Sequence, residues 1–194
     1  MSALTEREEA KVLILGLGNI LLQDEGLGVH AVQRLESDYQ LPPDVEIIDG
    51  GTKGLDLLPF LEGVTDLLIL DAVKMDEAPG TLIRLEGEAI PKALSVKMSM
   101  HQVGLQELLA LGDLQGALPS RIVLLGLEPA VVDWGLELSP AVADKLDELV
   151  EAAADELRRW QVELIEKPAY HEIILDRDKT DLIYKPRLTM GSSF

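Results

Sequence analysis

Short apolar runs alternate along this chain with amphipathic stretches, and this alternation restricts the folds available to it. Residues 11–19 (KVLILGLGN) predict a first strand, and residues 66–73 (DLLILDAV) are apolar almost throughout. Continuous apolar character is typical of strands that are covered on both faces. The pattern therefore predicts an α/β domain of three layers, α/β/α, in which helices cover both faces of a twisted, mostly parallel, five-stranded sheet.

The remaining elements follow in the same alternating order. Further strands are predicted at 45–51, 80–87 and 121–129. The second of these is short and alternates in polarity, as edge or hairpin strands do. Helices are predicted at 25–37, at 55–63 (limited by Pro59), at about 100–111, and from Ser139–Pro140 to about Ile165. Residues 1–166 are predicted to form one domain, and 167–194 a C-terminal extension.

Composition excludes several classes of function. The formal charge is −18 and no basic cluster offsets it, so the chain would repel a nucleic-acid backbone. Cysteine is absent, which excludes disulfides, thiolate metal sites and a cysteine nucleophile. No apolar run approaches the roughly 18 residues of a membrane-spanning helix, and the first ten residues are polar and acidic, unlike a secretory signal. We therefore expect a cytoplasmic protein that neither binds nucleic acid nor inserts into a membrane.

Acidic and imidazole side chains occur where the predicted parallel strands end. The first strand leads to Asp24 and Glu25, the second ends in Asp49, the third ends in Asp71, and His101 opens the helix after the fourth. The carboxyl ends of parallel strands meet at one edge of a sheet, so these side chains are expected to lie close together. The carboxylates of Glu25 and Asp71 with the imidazole of His101 suit zinc, nickel or a similar ion, with positions left open for water or substrate.

Structural roles also account for some of these residues. Asp24 is expected to cap the helix that follows, leaving Glu25 in its first turn, where a negative charge is favourable. Ser99 to Gln102 fits the S-x-x-Q capping box, which places His101 in a first helical turn. There the helix dipole favours the neutral imidazole that binds metals. A charge that closes a run as apolar as LLIL is paired, liganded or capping a turn, so both kinds of role stay open for Asp71.

Glycines at 16 and 18 raise the alternative of a dinucleotide-binding loop. They come directly after the apolar run VLIL, but Leu21 stands where the G-x-G-x-x-G fingerprint has its third glycine. The predicted helix begins near Glu25, too far along to aim its dipole at a pyrophosphate beside the glycines. Asp49 could take the part of the ribose-binding acid, so a nucleotide-binding oxidoreductase stays a second hypothesis.

Seven short segments between roughly residues 11 and 160 carry a family resemblance. They are GLGNILLQDEGLGV (16–29), DGGTKGLDLL (49–58), LILDAV (68–73), APGT (78–81), SMHQVGL (99–105), LLGLEP (124–129) and GLELSPAV (135–142). In this order and spacing they resemble the hydrogenase maturation proteases, the endopeptidases that process the large subunit of [NiFe] hydrogenases. The resemblance implies a twisted, mostly parallel sheet between helices.

The resemblance also implies a reaction and a ligand set. The reaction is removal of a short C-terminal extension from the large-subunit precursor after nickel insertion. Glu25, Asp71 and His101 would contact the metal, which is the substrate's own nickel, with zinc or cadmium as substitutes in vitro. Either Glu25 or Asp71 would act as the general base. The turn expected to shape the cleft for the substrate tail consists of Asp49, Gly50, Gly51 and Thr52. A nickel-recognition checkpoint protein that binds the precursor without cutting it needs the same ligands, and stays an alternative.

Overall fold

Strands and helices alternate in the computed structural model, which describes residues 11–94 and 100–168, with side chains for all of these except 93, 94 and 100–102. The strands are β1 (Val12–Leu17), β2 (Tyr39–Gln40), β3 (Val45–Gly51), β4 (Asp66–Ala72), β5 (Leu82–Glu86), β6 (Arg121–Leu127) and β7 (Ile165–Glu166). The α-helices are α1 (Leu27–Asp38), α2 (Ala89–Leu94), α3 (Met100–Leu114), α4 (Pro140–Ala143) and α5 (Leu146–Arg159). Two 3-10 segments lie at Gln23–Gly26 and Gly54–Leu61.

The central sheet has five strands in the order β3–β1–β4–β6–β5. Neighbouring strands are parallel except for β5, which runs antiparallel to β6 at one edge. This arrangement confirms the predicted mostly parallel sheet and the edge position of the 80–87 strand. A separate two-stranded ribbon of β2 and β7 was not predicted, because each strand has only two residues and carries no readable pattern.

Both faces of the sheet are covered, which confirms the predicted three layers. On one face α1, α4 and α5 pack against side chains such as Ile14 and Leu68. On the other face the 54–61 segment, α2 and α3 pack against side chains such as Leu15 and Ile69. Successive residues of a strand point to opposite faces, so β1 and β4 must be apolar at every position between the two cores.

The start of the first helix differs from the prediction. Gln23–Gly26 forms a 3-10 turn, and α1 begins only at Leu27. Gln23 adopts a positive φ of 47°, a backbone conformation that is energetically costly for a residue with a side chain. Because glycine is the residue usually found in this conformation, the sequence did not indicate a turn at Gln23. Asp24 therefore caps neither the turn nor α1, and Glu25 lies in the turn that precedes the α-helix.

The last predicted helix is divided and ends early. It begins at Pro140 after Ser139, as predicted, but the chain turns between α4 and α5, and α5 ends at Arg159 rather than near Ile165. Gln161 adopts a φ of 67°, and the amide of Val162 donates to the carbonyl of Leu157, which closes the helix without glycine. None of the helices within 11–94 and 100–168 is long and apolar enough to cross a membrane. The predicted extension lies outside the described residues from 169 onward.

A buried carboxylate on α5 joins that helix to the edge strand β5. Glu156 is almost fully buried, and its oxygens accept hydrogen bonds from Arg84 (2.9 and 3.0 Å), Arg159 (2.8 Å) and the indole of Trp160 (3.1 Å). The hydrogen bond from Arg84 is the main reason that the pKa of Glu156 lies below its ordinary value. A charge that burial would otherwise penalise is thus compensated by two guanidinium groups.

Replacing Glu156 with glutamine is expected to lower the free energy of unfolding at pH 7 by about 2 kcal/mol, because Arg84 and Arg159 lose a buried charged acceptor. Because the folded-state pKa is lowered, the stabilisation is present above the unfolded-state value of about 4.3 and is lost as the pH falls through the folded-state pKa. Urea unfolding of both proteins at pH 7 and in steps below pH 4.3 measures the difference and its decay.

The matched control is Glu148→Gln, which removes a carboxylate from the exposed ion pair with Lys145 at the start of α5. This variant is expected to unfold like the wild type. An equal loss of stability in the two variants at pH 7 would contradict the role assigned to Glu156.

Candidate active site

The parallel strands end at one edge of the sheet, and most of the candidate residues lie along it. Asp71 is the penultimate residue of β4 and is fully buried, whereas Glu25 in the turn after β1 is 8% exposed. Asp49 to Thr52 form the end of β3 and the residue after it. The turn that carries Glu25 packs against β4. The expectation that the loops after β1, β3 and β4 meet at this edge is confirmed by the strand pairing.

Asp71 points to the face of the sheet on which α3 lies. Ile69, two residues earlier in β4, and Val73, directly after the strand, belong to the core between the sheet and α3. One carboxylate oxygen, Oδ1, accepts a hydrogen bond from the backbone amide of Ala72 at 2.8 Å. A buried carboxylate therefore faces the helix whose first turn contains His101.

Asp24 fastens the loop after β1 to the loop after β6. Its carboxylate is fully buried and accepts hydrogen bonds from the amides of Ala130 (2.9 Å), Val131 (2.8 Å) and Ser139 (2.7 Å), and from the Ser139 hydroxyl (2.8 Å). Hydrogen bonds to a charged acceptor are among the stronger ones in proteins. Asp24 thus positions the residue next to it, Glu25, and the predicted capping role was wrong because its partners lie more than 100 residues away.

The glycine pair after β1 makes room for the protein's own backbone. A Cβ on Gly18, which has a φ of 118°, would lie 1.7 Å from the carbonyl oxygen of Glu25. A Cβ on Gly28 would lie 2.0 Å from the carbonyl of Leu70, the residue before Asp71. These close approaches bring the Glu25 turn and α1 onto the ends of β1 and β4. A Cβ on Gly16 would lie 2.4 Å from the carbonyl oxygen of Gly28, so both glycines of the suspected nucleotide loop serve contacts within the chain.

The turn after β3 lies beside the loop after β1. Gly51 has a φ of 46° and its carbonyl accepts a hydrogen bond from the amide of Gly18 at 3.0 Å. The pairing with β1 skips Gly50, which is buried against the side chain of Leu17. Asp49 and Thr52 are exposed at this edge. Whether the Asp49–Thr52 turn shapes a substrate cleft stays a prediction.

Two glycines bring the start of α3 to the same turn. A Cβ on Gly104 would lie 3.0 Å from the Cα of Gly54, so the backbones of α3 and the 54–61 segment touch at this point. His101 is in the first turn of α3, one turn before Gly104, as predicted. Ser99, the first residue of the predicted capping box, lies outside the described residues, as does the side chain of His101.

The donor types at this edge fit a borderline divalent ion. Glu25 and Asp71 offer carboxylate oxygens, and a neutral histidine in a first helical turn would add a nitrogen. Among the side chains that the structure describes, which do not include that of His101, no group of three His, Cys, Asp or Glu residues could hold a metal ion. The ligand set of three residues therefore stays a prediction. The structure describes the carboxylates of Glu25 and Asp71 at this edge, whereas for His101 it describes the backbone alone.

A further buried carboxylate at this edge, that of Glu128, was missed in the sequence. Glu128 follows β6, is 3% exposed, and accepts hydrogen bonds from the amides of Met75 (2.6 Å) and Glu77 (3.3 Å). It holds the loop that leaves β4 just after Asp71. The signal that singled out Asp71, a charge closing a strongly apolar strand, also singles out Glu128 in LLGLEP.

The chain is similar in sequence to proteins of hydrogenase maturation. A family model described as HycI, hydrogenase maturation protease, matches residues 29–156. The hydrogenase expression/formation protein HupD of Rhodobacter capsulatus is 41% identical over 86% of this chain and 80% of its own length. The hydrogenase 2 maturation protease of Escherichia coli K12 is 39% identical over 84% of this chain and 99% of its own length.

Solved structures with the same fold come from that group as well. The hydrogenase maturating endopeptidase HybD from Escherichia coli superimposes with a TM-score of 0.78 at 38% identity, covering 81% of this chain and 98% of its own. The [NiFe] hydrogenase maturation protease HybD from Thermococcus kodakarensis gives a TM-score of 0.64 at 29% identity, covering 75% and 98%. Similarity in sequence and in fold therefore points to the same proteins.

Replacing Asp24 with asparagine is expected to lower the free energy of unfolding by about 2–3 kcal/mol, because an amide has one acceptor oxygen and turns an NH₂ group toward buried donors. Chemical denaturation measures the loss, and limited proteolysis between 129 and 139 reports whether the loop is released. Asp133→Asn is the control, since Asp133 lies exposed in the same loop and its carboxylate accepts a hydrogen bond from the amide of the next residue, Trp134. Equal effects of the two substitutions would contradict the anchoring role.

Replacing Gly18 with alanine is expected to displace the Glu25 turn, because the new methyl group would overlap the Glu25 carbonyl. The expected result is a lower melting temperature than that of the wild type, together with loss of catalytic activity. Gly63→Ala is the control: its φ is 74°, but nothing lies within 4 Å of the added methyl, so it adds only backbone strain of about 1–2 kcal/mol. A Gly18→Ala protein as stable and as active as Gly63→Ala would refute the close approach.

Proposed function

Since the chain belongs to the hydrogenase maturation protease family, we propose that it removes the C-terminal extension of a [NiFe] hydrogenase large-subunit precursor after nickel has been inserted. The observation that supports this proposal is the position of the elements: the Glu25 turn follows β1, Asp71 lies near the end of the neighbouring strand β4, and Gly104, one turn after His101, packs against Gly54 just beyond β3. The proposed compartment is the cytoplasm, as expected from the sequence.

Family membership makes the chain an endopeptidase, a hydrolase that cuts a peptide bond. This argues against a nucleotide-binding oxidoreductase, as does the filled space at Gly16 and Gly18. It also argues against a checkpoint protein that binds without cutting, because the relatives are named as proteases. What remains to be tested is which substrate is cut and how nickel is recognised.

In the proposed reaction the nickel ion belongs to the substrate, and the protease contributes Glu25, Asp71 and His101 as additional ligands. A divalent ion shared in this way polarises a carbonyl or lowers the pKa of a water molecule. Ligands on separate elements, the 23–26 turn, β4 and α3, would hold the scissile peptide in one register against the enzyme. A precursor without nickel would lack that anchor, and this accounts for cleavage only after loading.

A proton acceptor is needed on the enzyme, and the two carboxylates are the candidates. Asp71 is fully buried with one oxygen bonded to the amide of Ala72, whereas Glu25 retains some exposure. A general base has to come within about 2.6–3.2 Å of the attacking water. The exposed turn from Asp49 to Thr52, beside the Glu25 loop, is proposed to receive the substrate tail.

The test mixes the purified protein with precursor large subunit, either loaded with nickel or free of it, and follows the C-terminus by mass spectrometry. Loss of the extension only from the loaded precursor is expected. Glu25→Gln, Asp71→Asn and His101→Ala should each lower the cleavage rate at least about 100-fold, because each removes a ligand or the base. Cleavage of nickel-free precursor at the same rate would overturn the nickel requirement.

The matched control for the carboxylate variants is Glu148→Gln, an exposed carboxylate on α5 that lies in another part of the fold. It is expected to cleave at the wild-type rate. Circular dichroism of every variant shows whether the fold survives. Full activity in folded His101→Ala would remove this residue from the ligand set, and binding of the precursor without cleavage by the wild type would favour the checkpoint alternative.

A further inference from the structure

Two loops beside the Glu25 turn expose a set of large apolar side chains, which we name the apolar rim. Trp134 is 79% exposed and Leu136 64% exposed, although residues of these types are usually sheltered in a folded protein. The apolar rim consists of Ile20, Leu21, Val131, Val132, Trp134 and Leu136. The first two follow β1 and the other four follow β6, so the rim lies at the edge that holds Glu25 and Asp71.

Backbone hydrogen bonds join the two loops of the apolar rim into one surface. The amide of Gly135 donates to the carbonyl of Leu21, and the amide of Gln23 donates to the carbonyl of Gly135, both at 3.0 Å. The amide of Asp24 donates to the carbonyl of Val131 at 3.3 Å, while the Asp24 carboxylate binds the amides of the same loop. The rim is therefore held in place before any partner arrives, which reduces the ordering entropy that binding costs.

We propose that the apolar rim is the docking surface for the protein substrate, contacting an apolar patch on the body of the precursor while the C-terminal extension enters the site. This inference rests on the proposed function for the identity of the substrate. It adds that recognition involves a surface that lies beside the metal ligands but consists of other residues, so that affinity and cleavage are set by different residues.

The charge of the chain and the position of the rim favour the precursor over a second copy of this chain as the molecule that binds there. A second copy of the chain would bring another net charge of −18 to the contact, which opposes self-association. The rim loops themselves carry Asp133 and Glu137, so the complementary surface is apolar with basic residues at its border. Only three residues separate Leu21 from Glu25, and a molecule seated on the rim therefore also covers the edge where cleavage is proposed.

The experiment compares the double variant Trp134→Ala/Leu136→Ser with the wild type on nickel-loaded precursor. Exposed aromatic anchors account for much of the affinity of protein interfaces, so KM is expected to rise at least about tenfold while kcat stays within about twofold. Unchanged melting temperature shows that the exposed substitutions leave the fold intact. The matched control is Leu114→Ser, which removes an 82% exposed leucine from the far end of α3 and is expected to leave KM unchanged.

Direct binding distinguishes failure of this inference from failure of the proposed function. The dissociation constant of the precursor is measured calorimetrically for the wild type, the rim variant and Leu114→Ser. If the wild type binds but does not cleave, the proposed reaction fails, and a rim variant that binds at least about tenfold more weakly than Leu114→Ser still supports the docking surface.

Equal affinity and equal KM in the rim variant, Leu114→Ser and the wild type overturn the docking surface, even if cleavage of the loaded precursor is observed. Absence of binding to the precursor by the wild type overturns it as well. Sedimentation of the protein alone tests whether the rim instead binds a second copy of this chain. If the wild type is a dimer and the rim substitutions dissociate it, the rim is a dimer interface and the inference is overturned.

Discussion

The buried carboxylate of Asp24 is the contact on which the arrangement of the site depends. It binds amides and a hydroxyl at both ends of the segment from 130 to 139, and so ties the loop after β1 to the loop after β6. These loops flank the central strand β4, whose end carries Asp71. Without the Asp24 carboxylate, the described contacts between these loops would be the backbone hydrogen bonds that join residues 21–24 to residues 131–135.

Close approaches at glycines supply the second constraint. Gly18 and Gly28 let the Glu25 turn and α1 touch the ends of β1 and β4, and Gly104 lets α3 touch the turn after β3. A Cβ at Gly18 or Gly28 would overlap backbone oxygen atoms, so these elements could not lie so close together with any other residue at those positions. The candidate ligands come from separate elements, so their distances from one another depend on these backbone contacts rather than on the ligands themselves.

The division of tasks between Asp24 and Glu25 illustrates how a short acidic motif can serve structure and chemistry together. The former is fully enclosed by donors from distant loops, while the latter stays at the edge with a small exposed fraction. Ser139 likewise has a role that its position does not indicate. It directly precedes α4, but its hydroxyl donates a hydrogen bond to Asp24 rather than capping the helix. Adjacent residues of one motif therefore have different roles. The sequence of the motif alone does not tell the structural carboxylate, Asp24, from the candidate ligand, Glu25.

Local pattern was sufficient to predict the sheet, its parallel character, the edge position of β5 and the family, because apolar periodicity and motif spacing are properties of the chain alone. It also placed Glu25 and Asp71 at one edge, since the ends of parallel strands must meet there. The end of α5 and the start of α1 were not predictable, because Gln23 and Gln161 take positive φ values without glycine. The partners of Asp24 and Glu128 required the tertiary structure, for buried carboxylates are satisfied by amides that only folding brings within reach.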